Sequence, residues 1–146
     1  MTLHLIKLCV GTASIEDLET WQQANRRMKH KASGRPCVYH TTFQTPKRQA
    51  ELLDGGSLYW VIKGLVQARQ RLVGLEDGLK PDGSPCCLLL LAREIVAVRP
   101  MPRRAFQGWR YFSPDDTPPD LRPGLDDGLA TMPSKMRREL AELGLI

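Results

Sequence analysis

The chain has 146 residues, and 21 lysines and arginines against 16 acidic residues give it a net charge of +5. This length allows one hydrophobic core, so we expect residues 1–146 to form a single domain that needs neither a metal nor a disulfide. The composition, 42% apolar and 25% charged, excludes disordered and collagen-like chains. The longest apolar run, residues 86–92, is far short of a membrane helix, so no membrane partner is expected.

The four cysteines and the start of the chain indicate a compartment. Residues 1–11 are more typical of a first strand than of a signal peptide, because Lys7 interrupts the apolar run. We therefore predict reduced thiols and a cytoplasmic protein. Cys37 and His40 come nearest to a metal-ligand pair, but a strand with a buried thiol explains them better. No metal and no cofactor is expected.

The first half of the chain predicts alternating strands and helices. Ser14 is placed to cap a helix over residues 15–28, whose acidic start and basic end (residues 26–29) suit the helix dipole. The predicted elements that follow are a strand at 37–43, a short helix opened by Pro46 and running through Leu53, and a turn at 54–56.

The second half has a period of two, which is typical of strands. Residues 57–63 are apolar on both faces and predict a central strand, while residues 66–73 have one more polar face. Lys63–Gly64 forms either a tight turn between these segments or a bend in one long strand. Two Asp-Gly pairs within 76–85 indicate a turn, so the run at 86–92 predicts a return strand.

A further strand at 95–98 would complete an antiparallel meander. Beyond Pro100 the chain is proline-rich, and we predict irregular structure up to a last helix capped by Ser134. The predicted fold class is α+β, a curved, mostly antiparallel sheet or small β-barrel flanked by helices.

Positive charges are concentrated in two segments. Residues 20–50 and 95–114 contain no acidic residue, whereas residues 115–127 are strongly acidic. Such segregation favours an anionic partner, because clustered Arg and Lys raise the surface potential and attract phosphates. Two structural explanations stay open: a helix end for residues 26–29, and a solvated sheet face for the polar side chains at 67–71.

The segment from Arg103 to Tyr111 gives the sharpest signal. Three aromatic rings and three arginines lie within these nine residues, a combination that stacks on bases and pairs with phosphates. Arginines that pack on tryptophan inside a folded segment are the structural alternative.

Familiar catalytic motifs are absent from the sequence. It contains no phosphate-binding loop, dinucleotide fingerprint, zinc-protease motif or nucleophile elbow. Residues 54–57 could form an anion-binding nest, but they lead into a strand, which favours a plain turn. His40 is expected to be a hydrogen-bonded structural residue, with a general-base role left open.

Several stretches carry a family resemblance: Leu3–Gly11, Pro46–Arg48, Leu53–Gly64, Gln67–Gln70 and Phe106–Tyr111. On these the whole chain resembles a bacterial family numbered 1489 among the domains of unknown function, which implies no activity. The order of elements is also similar to PUA-like β-barrels of the ASCH and EVE types, which implies binding of RNA or modified bases.

The sequence thus predicts a small non-catalytic nucleic-acid-binding module, with RNA or a single-stranded segment as the favoured partner. The candidate binding residues are Lys47, Arg48, Lys63, Arg69, Arg71, Arg103, Arg104, Trp109, Arg110 and Tyr111. One alternative is an enzyme acting on an anionic small molecule or modified nucleotide, with His40, Asp54 and Ser57 at its pocket. Another is a protein-interaction adaptor whose acidic segment 115–127 meets a basic partner.

Overall fold

Sheet makes up most of the structure, a computed structural model that describes residues 2–9, 11–29, 34–104 and 106–121. Within these ranges the helices are α1 (Ile15–Asn25) and α2 (Gln49–Leu52), with a 3-10 turn at Pro114–Asp116. The strands are β1 (His4–Leu8), β2 (Arg27–Lys29), β3 (Pro36–Thr42), β4 (Ser57–Ile62), β5 (Leu65–Leu79), β6 (Pro85–Leu91), β7 (Val96–Pro102) and β8 (Trp109–Phe112).

The strands lie in the order β2-β3-β6-β5-β4-β1-β8, and β7 pairs with β5 beside this path. β1 runs parallel to β4, and the other pairs are antiparallel. The α+β class and a curved, mostly antiparallel sheet are confirmed. In the described ranges the sheet is open, with β2 and β8 at its two ends.

β5 connects two parts of this sheet. Its first part pairs with β4 on one side and β7 on the other, whereas residues 72–79 pair with β6. The register shifts between Leu72 and Gly74, where the strand passes from one set of partners to the next.

Two hydrophobic cores lie on opposite faces of β1 and β4, because successive side chains of a strand alternate between faces. Leu5 and Trp60 belong to one core, and their chain neighbours Ile6 and Tyr59 belong to the other. All six residues of β4 are buried, which confirms the predicted central strand.

Residues 113–121, which we name the strap, cross the face that carries Ile6 and Tyr59. The Arg99 N–H donates to the Pro119 carbonyl at 2.9 Å, and the Leu121 N–H donates to the Ala97 carbonyl at 3.0 Å. We call this side of the sheet the strap face and the other the cavity face.

Helix α1 is shorter than predicted. Ser14 caps it as expected, since its hydroxyl accepts the Asp17 N–H at 3.1 Å, but the helix ends at Asn25. Arg27 and Lys29 lie in β2, so the helix-dipole explanation for these two is wrong. Pairing of β2 with β3 supplies the backbone hydrogen bonds that a longer helix would have made.

Two turn boundaries also differ from the predictions. α2 begins at Gln49, so Pro46 precedes the helix without opening it. Asp77–Gly78 continues β5, and the chain reverses only at the second Asp-Gly pair, where the Gly83 N–H donates to the Lys80 carbonyl at 2.9 Å. Lys63–Gly64 forms a tight turn, with φ of 53° and 79°.

The meander and the irregular segment need correction. β7 pairs with β5 and not with β6, because β3 and β5 already occupy both sides of β6. Trp109–Phe112 forms a strand, β8, against β1, although the proline-rich region was predicted to be irregular. The helix predicted after Ser134 lies outside the described residues.

Candidate functional site

A cavity of about 540 Å³ opens on the cavity face. It lies between α1, the ends of β1 and β3, and the segment that leads into β8, a position of the kind that holds small ligands. Its aromatic side chains are Trp21, His40, Phe43, Trp60 and Trp109. Trp60 forms part of the floor at 2% exposure, whereas Trp21 and Phe43 are 41% and 76% exposed.

Lys7 occupies the centre of a cross-strand row in this cavity. In the registers of β1, Lys7 is opposite Trp60 on β4 and opposite Trp109 on β8, so the three side chains share one face. Burial lowers the pKa of the Lys7 ammonium, and the nearby Cys9 thiol acts in the opposite direction. A half-buried cation therefore stands between two tryptophans.

The floor of the cavity is fixed by a buried amide network. The Trp60 indole N–H donates to Gln70 Oε1 at 2.8 Å, and Gln70 and Gln22 exchange two amide hydrogen bonds of 2.8 Å. Because these polar groups are satisfied, they hold Trp60 in a single orientation.

His40 packs edge-to-face on Trp60, with ring centroids 5.0 Å apart. Its Nε2 atom is buried and has no hydrogen-bond partner among the described residues. Burial, together with the charges of Lys7 and Arg26, lowers the pKa of His40 to about 4, so the ring is neutral at pH 7.

Cys9 also lines the cavity, and its Sγ lies 2.7 Å from Thr12 Oγ1. Burial raises the pKa of the Cys9 thiol, which disfavours the thiolate that nucleophilic chemistry requires.

The basic segments that the sequence singled out meet beside this cavity. The Tyr111 hydroxyl accepts the backbone N–H groups of Lys47 and Arg48 at 2.9 and 3.1 Å. The Tyr111 ring packs edge-to-face on Trp109 at 4.9 Å between centroids, and the Trp109 indole N–H donates to the Gln44 carbonyl at 2.7 Å. The Arg48 guanidinium pairs with Glu51 and lies 5.7 Å from the Tyr111 ring centroid. Four predicted residues therefore form one cluster on the cavity face.

The remaining predicted arginines point elsewhere. Arg110 is opposite Ile6, which places it on the strap face, where its guanidinium lies over the Phe106 ring at 5.1 Å from the centroid. Arg103 lies 5.8 Å from the same ring. The structural alternative for this segment was arginine packed on tryptophan, and these two arginines pack on Phe106 instead.

Arg69 is neutralised by the strap. Its guanidinium donates two hydrogen bonds of 2.7 Å to the Asp120 carboxylate and a third, of 3.1 Å, to the Ser57 hydroxyl. The hydrogen bonds from Arg69 lower the pKa of Asp120. The neighbouring Gln67 is buried and donates to the Ile62 carbonyl at 2.6 Å, so this strand face is not simply solvated.

Lys63, Arg71 and Arg104 are exposed and separate from the Tyr111 cluster. Lys63 lies in the β4–β5 turn, Arg71 lies on β5 opposite Ser57, and Arg104 follows β7. The structure thus divides the ten predicted residues between two faces and the ends of strands.

The alternative catalytic set does not assemble. His40 lines the cavity and contacts Trp60 on the cavity face, whereas the Ser57 hydroxyl meets Arg69 on the opposite side of β4. Asp54 lies in an exposed turn. In the described parts of the chain, no group of three or more His, Cys, Asp and Glu is placed to hold a metal ion.

Sequence reasoning missed the cavity and its central cation. A signal was present in β1, where the core-facing alternation Leu3, Leu5 continues with Lys7. A lysine at a core-facing position of a strand marks either a sheet end or a polar site. Phe43, Trp21 and Trp60 could be placed around it only when the pairing of β3, α1 and β4 was known.

Fold and site together define an α+β protein with an aromatic cavity beside a basic cluster. The family model for DUF1489, described as a protein of unknown function, matches residues 5–146. The chain therefore belongs to this family. No curated protein and no solved structure matches it. Neither helix in the described ranges has the length and hydropathy to span a bilayer.

Proposed function

We propose that this protein is a small non-catalytic module that binds single-stranded nucleic acid, with RNA favoured. The observation that carries the proposal is the contact of the Tyr111 hydroxyl with the backbone of Lys47 and Arg48. It joins the two acid-free segments at one point and sets their charges beside the Trp109–Tyr111 ring pair.

Binding on this cluster combines two interactions. Lys47 is exposed and contacts phosphates, and the partly exposed Tyr111 ring stacks on a base. Arg48 joins Lys47 when a phosphate replaces Glu51 as the partner of its guanidinium. A single strand suits this arrangement because its bases are free to stack, whereas duplex DNA buries them.

The strap-face arginines act at longer range. Asp120 already neutralises Arg69, whereas Arg103 and Arg110 rest on Phe106 and add to the surface potential. Lys63, Arg71 and Arg104 contribute in the same way.

Two finer features belong to the same proposal. The β-rich architecture and the basic cluster favour a PUA-like relationship, and a closed barrel would require pairing beyond that described here. A cytoplasmic location is supported by the four unpaired cysteines, which suit a reducing compartment.

The test is fluorescence anisotropy with a labelled oligouridine and a duplex DNA of equal length. We expect preference for the single strand and a loss of affinity of about fivefold or more between about 50 and about 200 mM salt. Affinity that does not change with salt would overturn the proposal.

Charge variants locate the surface. Lys47→Gln should weaken oligouridine binding and reduce the salt dependence by about one phosphate contact. Lys63→Gln, which removes the same charge at the distant β4–β5 turn, serves as the matched control. If both variants weaken oligouridine binding equally, the attraction is a general electrostatic one and the cluster is not a specific binding site.

A further inference from the structure

The cavity beside the basic cluster presents a cation that has no counter-ion among the residues that the structure describes. None of the described residues that line the cavity is Asp or Glu, and Lys7 forms no ion pair within these ranges. A half-buried ammonium loses part of its hydration, and a partner of opposite charge would restore that interaction. An anionic ligand is the kind of group that would supply it.

The side chains that line the cavity indicate what the rest of the ligand looks like. Trp60 and Trp109 flank Lys7 in the registers of its two neighbouring strands, and Trp21 and Phe43 stand at the mouth. Flat, rigid rings on several sides favour a planar aromatic ligand, since stacked or edge-to-face rings gain contact area at little entropic cost.

The charges around the cavity exclude the opposite kind of ligand. Aromatic cages for methylammonium groups require a surplus of π-face and no competing cation, and here Lys7 already occupies the centre. Arg26 adds positive charge at the mouth, with its guanidinium 4.3 Å from the centroid of the Trp21 ring. His40, neutral at pH 7, contributes no compensating negative charge.

We infer that the cavity is a binding site for a planar aromatic ring that carries one anionic group, with the anion paired to Lys7 and the ring held among the tryptophans. A volume of about 540 Å³ accommodates a two-ring acid or a nucleoside monophosphate. Both sources share this chemistry. The inference stands independently of nucleic-acid binding, because it concerns a small molecule in the cavity and not a strand on the surface.

Matched charged and neutral probes test it. Tryptophan fluorescence and calorimetry would follow 2-naphthoate against 2-naphthamide, and uridine 5′-monophosphate against uridine. We expect the charged member of at least one pair to bind about tenfold or more tightly, the range for a hydrogen bond to a charged group. Preference in the first pair indicates aromatic acids, and preference in the second indicates nucleotides.

The variant Lys7→Met keeps the aliphatic stem and removes the charge. It should abolish the preference for the charged probe while leaving affinity for the neutral probe within about twofold, and Lys63→Met at the exposed turn should change neither. Lys7→Arg retains the positive charge and should retain the preference for the charged probe. It provides a second variant for the test if Lys7→Met fails to fold.

Equal affinity for the charged and neutral members of both pairs would overturn the inference. A charge preference that survives in folded Lys7→Met would overturn it as well. If the unmodified protein binds naphthoate but not oligouridine, only the proposed nucleic-acid surface is refuted.

Discussion

Lys7 and Arg69 are cations on opposite faces of one sheet, and they differ in whether a carboxylate of the chain pairs with them. Arg69 on the strap face is held by two hydrogen bonds from its guanidinium to Asp120. Lys7 on the cavity face has no carboxylate beside it in the described ranges. A cation matched within its own chain stabilises the fold, whereas one left unmatched among aromatic rings is available to a ligand. Four perturbations test this difference between the two faces.

Truncation of the cavity floor should cost the most stability. Trp60→Ala removes a ring that is 2% exposed and hydrogen-bonded to Gln70, and we expect the free energy of unfolding to fall by about 4 kcal/mol. Phe112→Ala, 3% exposed on the strap face, removes a smaller ring at an edge strand and should cost about 3 kcal/mol. Urea unfolding measures both, and a larger loss at Phe112 would place the main core on the strap face.

The next largest effect is a fall in the free energy of unfolding at acidic pH, caused by His40 on the cavity face. The pKa of His40 lies at about 4 in the folded protein and near 6.5 when unfolded, so the unfolded chain binds the proton more tightly. The contribution of neutral His40 to the free energy of unfolding is therefore fully present above about pH 6.5. It is lost as the pH drops toward 4, a decrease of about 3 kcal/mol. Thermal melts from pH 7 to pH 4 would show the slope. His40→Gln should flatten it, and an unchanged slope would assign the effect to other groups, of which His4 is the first candidate because burial also lowers its pKa.

The Arg69–Asp120 ion pair on the strap face should contribute less to the free energy of unfolding than neutral His40 does. Asp120 is 44% exposed and Arg69 26%, so Asp120→Asn should lower the free energy of unfolding by about 1 kcal/mol or less. Oligouridine affinity should rise only slightly, through the surface potential, when Arg69 is released. A clear gain in affinity would show that the nucleic acid binds the strap face, and the comparison would be reversed.

The smallest effect is expected at the β4–β5 turn. Lys63 is the one non-glycine residue with positive φ in the described ranges, and asparagine tolerates that conformation better. Lys63→Asn should raise the free energy of unfolding by about 0.5 kcal/mol. Because Lys63 acts only through the surface potential, its loss should weaken oligouridine binding less than Lys47→Gln does. An equal loss would extend the interface to this turn.

Local patterns predicted the strands well because alternation and turn chemistry act over a few residues. The apolar faces at 57–62 are an example. At Lys63–Gly64 the sequence allowed a tight turn or a bend, and the structure has the turn. Pairing was harder, since β7 and β8 join β5 and β1 from far along the chain. Helix α1 ended early because β2 forms a strand pair that its own sequence does not announce.

The sequence singled out residues of the basic cluster, but neither their arrangement nor the cavity beside them was predictable. The segment 103–111 contains the rings and arginines that the sequence singled out, yet strand alternation sends Trp109 and Arg110 to opposite faces. Predicting β8 as irregular hid this separation. Lys7 was read as a feature of the chain start, and only the registers of β1 with β4 and β8 place it between two tryptophans.

The passage of β5 from one set of partners to another has a consequence for how the molecule opens. Because its fifteen residues pair with β4 and β7 at one end and with β6 at the other, neither part can detach without disrupting the other. Amide protons of β4 and β6 should therefore exchange with deuterium through the same global unfolding event. The cavity floor on β4 should then show the same protection from exchange as the β5–β6 hairpin.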